Sequence, residues 1–177
     1  YDASQEFNEA VEMCRRLQSL AQRCGRHFGC KFSNTLEVVN HRDFFTPDNE
    51  VMFLSGAPLH VITMTLTEMF RREMGAAFPI SFSAGIDALN FPDAVACGFV
   101  PVTTCSDLLK TSGYGRLPQY LKNLQKAMAE CGASSIDEFI LRYGGEKEEG
   151  LSVAEASLRN NALAAQKAQD DPRYREE

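Results

Sequence analysis

Residues 78–116 constrain the fold of this chain more than any other stretch. Two short apolar runs rich in β-forming residues, 79–83 and 100–104, flank one helical pattern at 91–97 that Gly98 ends. A strand, a helix and a second strand in this order favour a parallel crossover connection. The segment therefore predicts an α/β fold in which both runs are strands of one parallel sheet.

Small residues follow both strands: Ala84 and Gly85 after the first, Cys105 and Ser106 after the second. Such turns leave backbone N–H groups open, and two of them side by side suit a phosphate group. A (β/α)8 barrel carries a phosphate site in the loops after its seventh and eighth strands. We therefore interpret the two strands as the last two of a barrel. The alternative, that these residues only form tight turns, stays open.

Two further strand patterns precede this segment, at 30–39 and 51–54, and amphipathic helix patterns occur at 4–24, 59–70 and 117–131. The core stripe predicted for the second helix is Leu59, Ile62, Leu66, Met69 and Phe70. Four strands alternating with helices amount to half of a barrel and cannot close alone. We predict an α/β fold, the C-terminal half of a (β/α)8 TIM barrel followed by a helical tail. A small doubly wound sheet is the alternative.

The tail is predicted to be a separate unit. Residues 1–143 form the barrel half, and residues 144–177 form a hinge and a helical linker. Ser152 and Glu155 make a capping-box pattern that opens the tail helix. Its apolar stripe is mostly Ala, which buries little area, so we expect this helix to dock weakly.

Five more residues are candidates for a ligand site. Asn34 and Thr35 end the run that Lys31 begins, and Ser55 and Gly56 follow the next strand. Barrel active sites are built at the carboxyl ends of strands, and Gly allows close approach of a flat ligand. An inward-pointing Lys31 would neutralise an anionic ring. The alternative for Lys31 is a solvent-facing position at a sheet edge.

Composition narrows the function classes. A net charge of −6 and a pI near 5.2 argue against nucleic-acid binding, and without an 18-residue apolar run we expect no membrane span. The six cysteines form no C-x-x-C pair, and the histidines and acids show no metal spacing, so we expect buried free thiols, no metal site and a cytoplasmic location. Nucleotide-binding glycine motifs are also missing.

Four segments carry a family resemblance: KFSNTLEVVN, MFLSGAPLH, ISFSAGIDALNF and VPVTTCSDLLKTSGYGRL. Together they resemble the FMN barrel of dihydroorotate and dihydropyrimidine dehydrogenases, in the version found in large bacterial flavo-iron–sulfur proteins of the glutamate-synthase-like or selenate-reductase-subunit type. The resemblance implies that Ala84, Gly85, Cys105 and Ser106 form FMN phosphate loops. It implies that Ser55 and Gly56 lie along the flavin and ribityl chain, that Asn34 and Thr35 face substrate or flavin, and that Lys31 stands beside the flavin.

The same resemblance implies a multidomain oxidoreductase. Iron–sulfur clusters, FAD and NADPH would bind outside this chain, and the partners would be the remaining barrel half and the iron–sulfur and FAD regions. Two departures stand out: Ala84 replaces the first Gly of the usual Gly-Gly pair, and Cys105 replaces a Gly. They leave open the alternative of a degenerate barrel that binds no flavin and acts as a structural or docking module.

Overall fold

The computed structural model describes residues 3–40, 46, 48, 50–145 and 150–174. His41 and most of the polar loop at 40–50 lie outside them, as do residues 146–149 of the expected hinge. The elements in chain order are α1 (Ala3–Arg23), β1 (Cys30–Phe32), β2 (Leu36–Val39), β3 (Val51–Leu54), α2 (Ala57–Met74), β4 (Ile80–Phe82), α3 (Phe91–Ala96), α4 (Leu117–Glu130), α5 (Ile136–Arg142) and α6 (Val153–Asp170). Short 3₁₀ helices occupy Ser106–Leu109, Gly113–Arg116 and Pro172–Tyr174.

A small parallel sheet forms the centre. β1 pairs with β4 in parallel, with Lys31 opposite Ser81, and Val102 forms a parallel bridge to Phe82 on the other side of β4. The strand predicted at 100–104 is therefore reduced to a bridge. Its Pro101 has no N–H to donate, although the Pro101 carbonyl accepts from Phe82 N at 3.0 Å and Thr103 N donates to Phe82 O at 2.9 Å.

The run at 30–39 is not one strand. It breaks after Phe32, and β2 pairs antiparallel with β3 in a separate hairpin, with Leu36 opposite Leu54. The prediction that 51–54 is a parallel barrel strand is wrong. The connection of 11 residues between Val39 and Val51 is too short for a helical crossover, which parallel pairing requires. The described residues thus supply three parallel strand positions instead of four.

The core lies between this sheet and the helices. Its large members include Leu59, Met64, Phe70, Ile80 and Phe82, each at most 4% exposed. The stripe predicted for α2 is only partly right, since Ile62, Leu66 and Met69 are 47%, 37% and 46% exposed. Polar residues take their place on the inner face: His60, Thr63, Thr67 and Arg71 are all buried. Backbone carbonyls satisfy several of these polar groups, which periodicity alone cannot foresee.

The tail helix α6 packs far more closely than its Ala-rich stripe suggests. Its capping box is present, with Ser152 Oγ accepting from Glu155 N and Glu155 Oε2 accepting from Ser152 N. Asn160 and Asn161 are fully buried. Asn160 Nδ2 donates to Ala96 O at 2.8 Å and to Ile140 O at 2.7 Å, so hydrogen bonds add to what the small Ala side chains bury. Weak docking was the wrong expectation, while a domain boundary near residue 143 stays a prediction.

Candidate functional site

Three loops meet at the carboxyl ends of the strands. A Cβ built on Gly85 would lie 2.8 Å from the carbonyl carbon of Gly56 and 3.0 Å from Ala57 Cα. A Cβ built on Gly56 would lie 3.5 Å from Ser106 Oγ. The loops after β3, β4 and Val102 therefore touch through Gly56, Gly85 and Ser106. These three of the predicted site residues are brought together.

The loop after β1 joins the same end of the sheet. Ser83 Oγ donates to Asn34 Oδ1 at 2.9 Å and to Ser33 O at 3.2 Å, and Ser83 N donates to Phe32 O at 2.8 Å. Asn34 is thus held beside the loop that carries Ala84 and Gly85. Thr35 follows it and is exposed.

Lys31 lies on the sheet face that points away from the helices. Its neighbours Cys30 and Phe32 pack against the core, and side chains alternate along a strand. Ser81 occupies the matching position of β4, between the buried Ile80 and Phe82. Lys31 is exposed in the chain as described, and in a closed barrel this face would be the interior.

The remaining candidates differ in environment. Ala84 is fully buried, so it contributes its backbone alone. Ser55 and Cys105 are exposed. Cys105 precedes a 3₁₀ helix of four residues, not an α-helix, so it gains little from a helix dipole.

Gly85 has a structural role that the sequence did not predict. A missing Cβ can make room for a ligand, but in the structure the carbonyl group of Gly56 occupies that space. Gly85 also has a φ of +55°, which favours glycine. The backbone N–H groups of Gly85 and Ser106 form no hydrogen bond to other residues in the described part of the chain. Those N–H groups are the donors that an anion would use here.

His60 supports this loop through a hydrogen bond from its buried ring. It is 2% exposed, and its Nδ1 lies 2.8 Å from Ala84 O. A carbonyl only accepts, so Nδ1 carries the proton. Burial lowers the pKa of His60, with a smaller opposing effect from the Ala84 hydrogen bond. The ring contacts Phe82 edge-on and stacks on Tyr174 at 5.3 Å.

The residues after α6 belong to the predicted linker at 144–177, but they return to the loop at 84–90. Arg173 Nη1 lies 3.3 Å from Asp87 Oδ2, and Asn90 Nδ2 donates to Tyr174 OH at 2.9 Å. Asn90 Nδ2 also donates to Gly85 O at 2.9 Å. The segment 171–174 therefore holds the loop at 84–90 in place. No local pattern in the sequence links positions 87 and 173.

The second phosphate-type loop is fixed by Asp107. This side chain is buried, with 4% of its surface exposed. It accepts from Arg116 Nε at 2.9 Å and from Tyr120 OH at 2.8 Å, and Lys110 Nζ lies 3.2 Å away. Burial alone would raise the pKa of Asp107, but these donors outweigh it and hold the pKa at about 2. The charge beside Ser106 is therefore already paired.

Metal ligation finds no support in the described residues, where no three His, Cys, Asp or Glu side chains lie close enough together to hold an ion.

All six cysteines are free; Cys14 and Cys97 are buried as expected, whereas Cys24 and Cys105 are exposed. Cys14 Sγ lies 3.7 Å from Cys30 Sγ. Burial, together with the hydrogen bond between the two thiols, raises the pKa of Cys30 to about 12.

Parallel strands covered by helices, with small-residue loops gathered at their carboxyl ends, define an α/β protein of the barrel class. A family model described as "Oxidoreductase YgfK, N-terminal TIM-barrel domain" matches residues 1–156. The chain belongs to this oxidoreductase family.

Relatives of known sequence agree with this family. The chain is 32% identical over 125 residues to "Putative oxidoreductase YgfK" of Escherichia coli strain K12, and equally to the protein of the same name in Escherichia coli O157:H7. The match covers 71% of this chain and 12% of each relative, so the chain spans a small part of the length of these curated relatives. No solved structure matches. None of the described helices has the length and apolar character needed to cross a membrane.

Proposed function

We propose that this chain is the FMN-holding part of a multidomain flavin and iron–sulfur oxidoreductase. The convergence of Gly56, Gly85 and Ser106 at the carboxyl ends of the strands carries the proposal. Open N–H groups at Gly85 and Ser106 would bind the FMN phosphate, as anions bind to clustered backbone donors. Bound FMN would supply the redox chemistry, and the chain would hold and orient it.

The other candidate residues fit around such a cofactor. Asn34, held by Ser83 at 2.9 Å, and Thr35 would face the flavin or the substrate. Ser55 and Gly56 would lie along the ribityl chain, and Ala84 and Cys105 would contribute backbone groups. Lys31 projects from the polar face of the sheet, where a closed barrel would place it beside an anionic ring.

The partners follow from the sheet. A TIM barrel needs eight parallel strands, and the described chain has three parallel positions with both outer edges open. The rest of the barrel would pair with these edges, and this chain would then be the C-terminal part of the barrel. Iron–sulfur clusters, FAD and NADPH would bind in further regions, beyond the residues of this chain.

One observation favours a second candidate, a barrel that holds no flavin and serves as a docking module. The space beside Gly85 that a phosphate loop would leave free is occupied by the Gly56 carbonyl group. In that case the glycines would serve only the packing of the loops.

The flavin content of the intact polypeptide distinguishes an FMN-holding barrel from a docking module. Ser106 is half-buried at the loop contact, so Ser106→Glu places a negative charge where the phosphate would sit, and Ser106→Gln is the neutral control of the same size. We expect FMN in the unmutated protein and in Ser106→Gln, and its loss in Ser106→Glu with unchanged circular dichroism. An unmutated protein that purifies without flavin and takes up no added FMN would favour the docking module.

A further inference from the structure

Arg71 places a buried positive charge at the amino-terminal end of the parallel strands, opposite the loops that carry Gly85 and Ser106. It is 3% exposed. Its Nη1 donates to Cys97 O at 2.7 Å and to Ser157 O at 3.4 Å, and its Nη2 donates to Ala76 O at 3.0 Å. These acceptors are neutral carbonyl groups, and Nε has no hydrogen-bond partner among the residues that the structure describes. Within the described residues, no carboxylate forms an ion pair with Arg71.

A buried charge without a counter-ion is unfavourable, and proteins almost always pair such groups. Burial accordingly lowers the pKa of Arg71. Carbonyl dipoles and the ring of Phe99, whose centroid lies 5.7 Å from Arg71 Cζ, stabilise the guanidinium in part, but they bring no negative charge to it. A group that brings a negative charge to this position would therefore be stabilised.

Arg71 lines a cleft that has room for such a group. The cleft has a volume of about 400 Å³. Its walls are formed by the residues before β4, the Gly98–Val100 turn and the first turn of α6, with Val100, Val153 and Ala154 among them. It lies at the amino-terminal end of β4 and beside the residues that precede the Val102 bridge, opposite the loops that carry Gly85 and Ser106.

The amino terminus of α6 opens onto this same cleft. α6 has 18 residues, and Ser152 Oγ takes the N–H of Glu155. The N–H groups of Val153 and Ala154, at the first two positions, have no acceptor within the helix. They carry the positive end of the helix dipole, which favours anions. A buried guanidinium that lacks a counter-ion in the described residues and the Val153 and Ala154 N–H groups, which the capping box leaves without an acceptor in the helix, thus line one cavity.

We propose that this cleft binds a carboxylate group on a short apolar body. The carboxylate would sit between the α6 amino terminus and Arg71, and the apolar body would contact Val100 and Val153. A carboxylate fits better than a phosphate, because one guanidinium supplies one charge and most of the remaining wall is apolar side chain. This binding is independent of FMN, since it uses the opposite end of the sheet.

The test is a titration of the ¹⁵N-labelled protein, followed by the backbone amide signals of Val153 and Ala154 and the Nε–H signal of Arg71. Isobutyrate is the probe, and isobutyramide is its neutral control of equal shape. We expect saturable shifts of these three signals with isobutyrate and none with isobutyramide.

Ala154→Asp provides a carboxylate within the chain, and Ala154→Asn is its neutral partner. We expect Ala154→Asp to lower the affinity for isobutyrate at least tenfold and Ala154→Asn to leave that affinity unchanged. Both substitutions lie on a half-buried position of the first helical turn, where short polar residues are tolerated, so neither should disturb folding.

The carboxylate could belong to a free metabolite or to an acidic side chain of another protein segment. Titration with an acetylated, amidated aspartate distinguishes these sources, since tighter binding of aspartate than of isobutyrate assigns the site to a side chain. The proposal is overturned if neither carboxylate shifts the three signals. It is also overturned if isobutyramide shifts them equally, or if Ala154→Asp binds isobutyrate as well as the unmutated protein.

Discussion

Gly85 and Gly56 contact each other through their backbones, and the carbonyl carbon of Gly56 lies 2.8 Å from where a Gly85 Cβ would be. Two loops that are 29 positions apart in the sequence are thereby fixed against each other. The contact needs glycine for two reasons, the missing Cβ and the left-handed φ of +55°.

Gly85→Ala should therefore destabilise the protein strongly. A left-handed backbone costs an L-residue about 1–2 kcal/mol, and overpacking adds about 1–3 kcal/mol. We expect the free energy of unfolding to fall by about 2–5 kcal/mol, measured by urea denaturation.

Gly25→Ala is the matched control. Gly25 has a φ of +65° with nothing within 4 Å of a built Cβ, so this variant carries the backbone strain alone. A Gly85→Ala variant no less stable than Gly25→Ala would contradict the contact described above.

The ion pair of Asp107 and Arg116 should be visible in the acid stability of the protein. The pKa of Asp107 is about 2 in the folded state, below the ordinary value of 3.8. The unfolded state therefore binds this proton first, and the stabilisation is complete above about pH 4 and lost as the pH falls toward 2. We expect it to amount to about 1 kcal/mol after solvent screening of the half-exposed Arg116 is allowed for.

Asp107→Asn should remove that pH dependence. The variant should unfold at lower urea concentration than the unmutated protein at pH 7, and the two should converge near pH 2. Equal stability of both proteins at pH 7 would mean that the pair contributes nothing.

His60 should make the protein less stable in weak acid. Its pKa is lowered in the folded state because the ring is buried, so the unfolded state takes up the proton more readily. The stabilisation is complete above the unfolded pKa of about 6.5 and is lost as the pH falls through it. We expect the urea midpoint to drop between about pH 7.5 and about pH 5.5.

His60→Gln should lose this part of the pH dependence, while His27→Gln, at an exposed position, should retain it. The tautomer provides a second measurement, because ¹⁵N chemical shifts should place the proton on Nδ1. A proton on Nε2 would rule out the hydrogen bond to Ala84.

The sequence predicted those parts of the structure that are determined by residues close together in the chain. The helix start at Ser152, the strand β4 and the turn that follows it could be predicted, because capping, alternation and turn chemistry act over a few residues. The parallel pairing of 51–54 was wrong because register depends on partners far along the chain.

The polar side of the core and of the site could not be predicted either. The burial of His60 and Arg71 depends on carbonyl groups from other elements, and a hydrophobicity pattern assigns such residues to the surface. Likewise, Arg173 and Tyr174 reach the loop at 84–90 only after the chain has turned back through α6.

Asn160 should account for much of the attachment of α6, the helix expected from its sequence to dock weakly. Its Nδ2 donates to Ala96 O and Ile140 O, and Asn160→Ala leaves both buried carbonyl groups without this donor. At about 1–3 kcal/mol for each unsatisfied group, we expect a loss of about 2–6 kcal/mol in the free energy of unfolding, measured by urea denaturation. Gln166→Ala, on the exposed face of α6, is the control and should change stability by less than about 0.5 kcal/mol. Equal effects of the two substitutions would mean that Asn160 does not attach α6 to the rest of the protein.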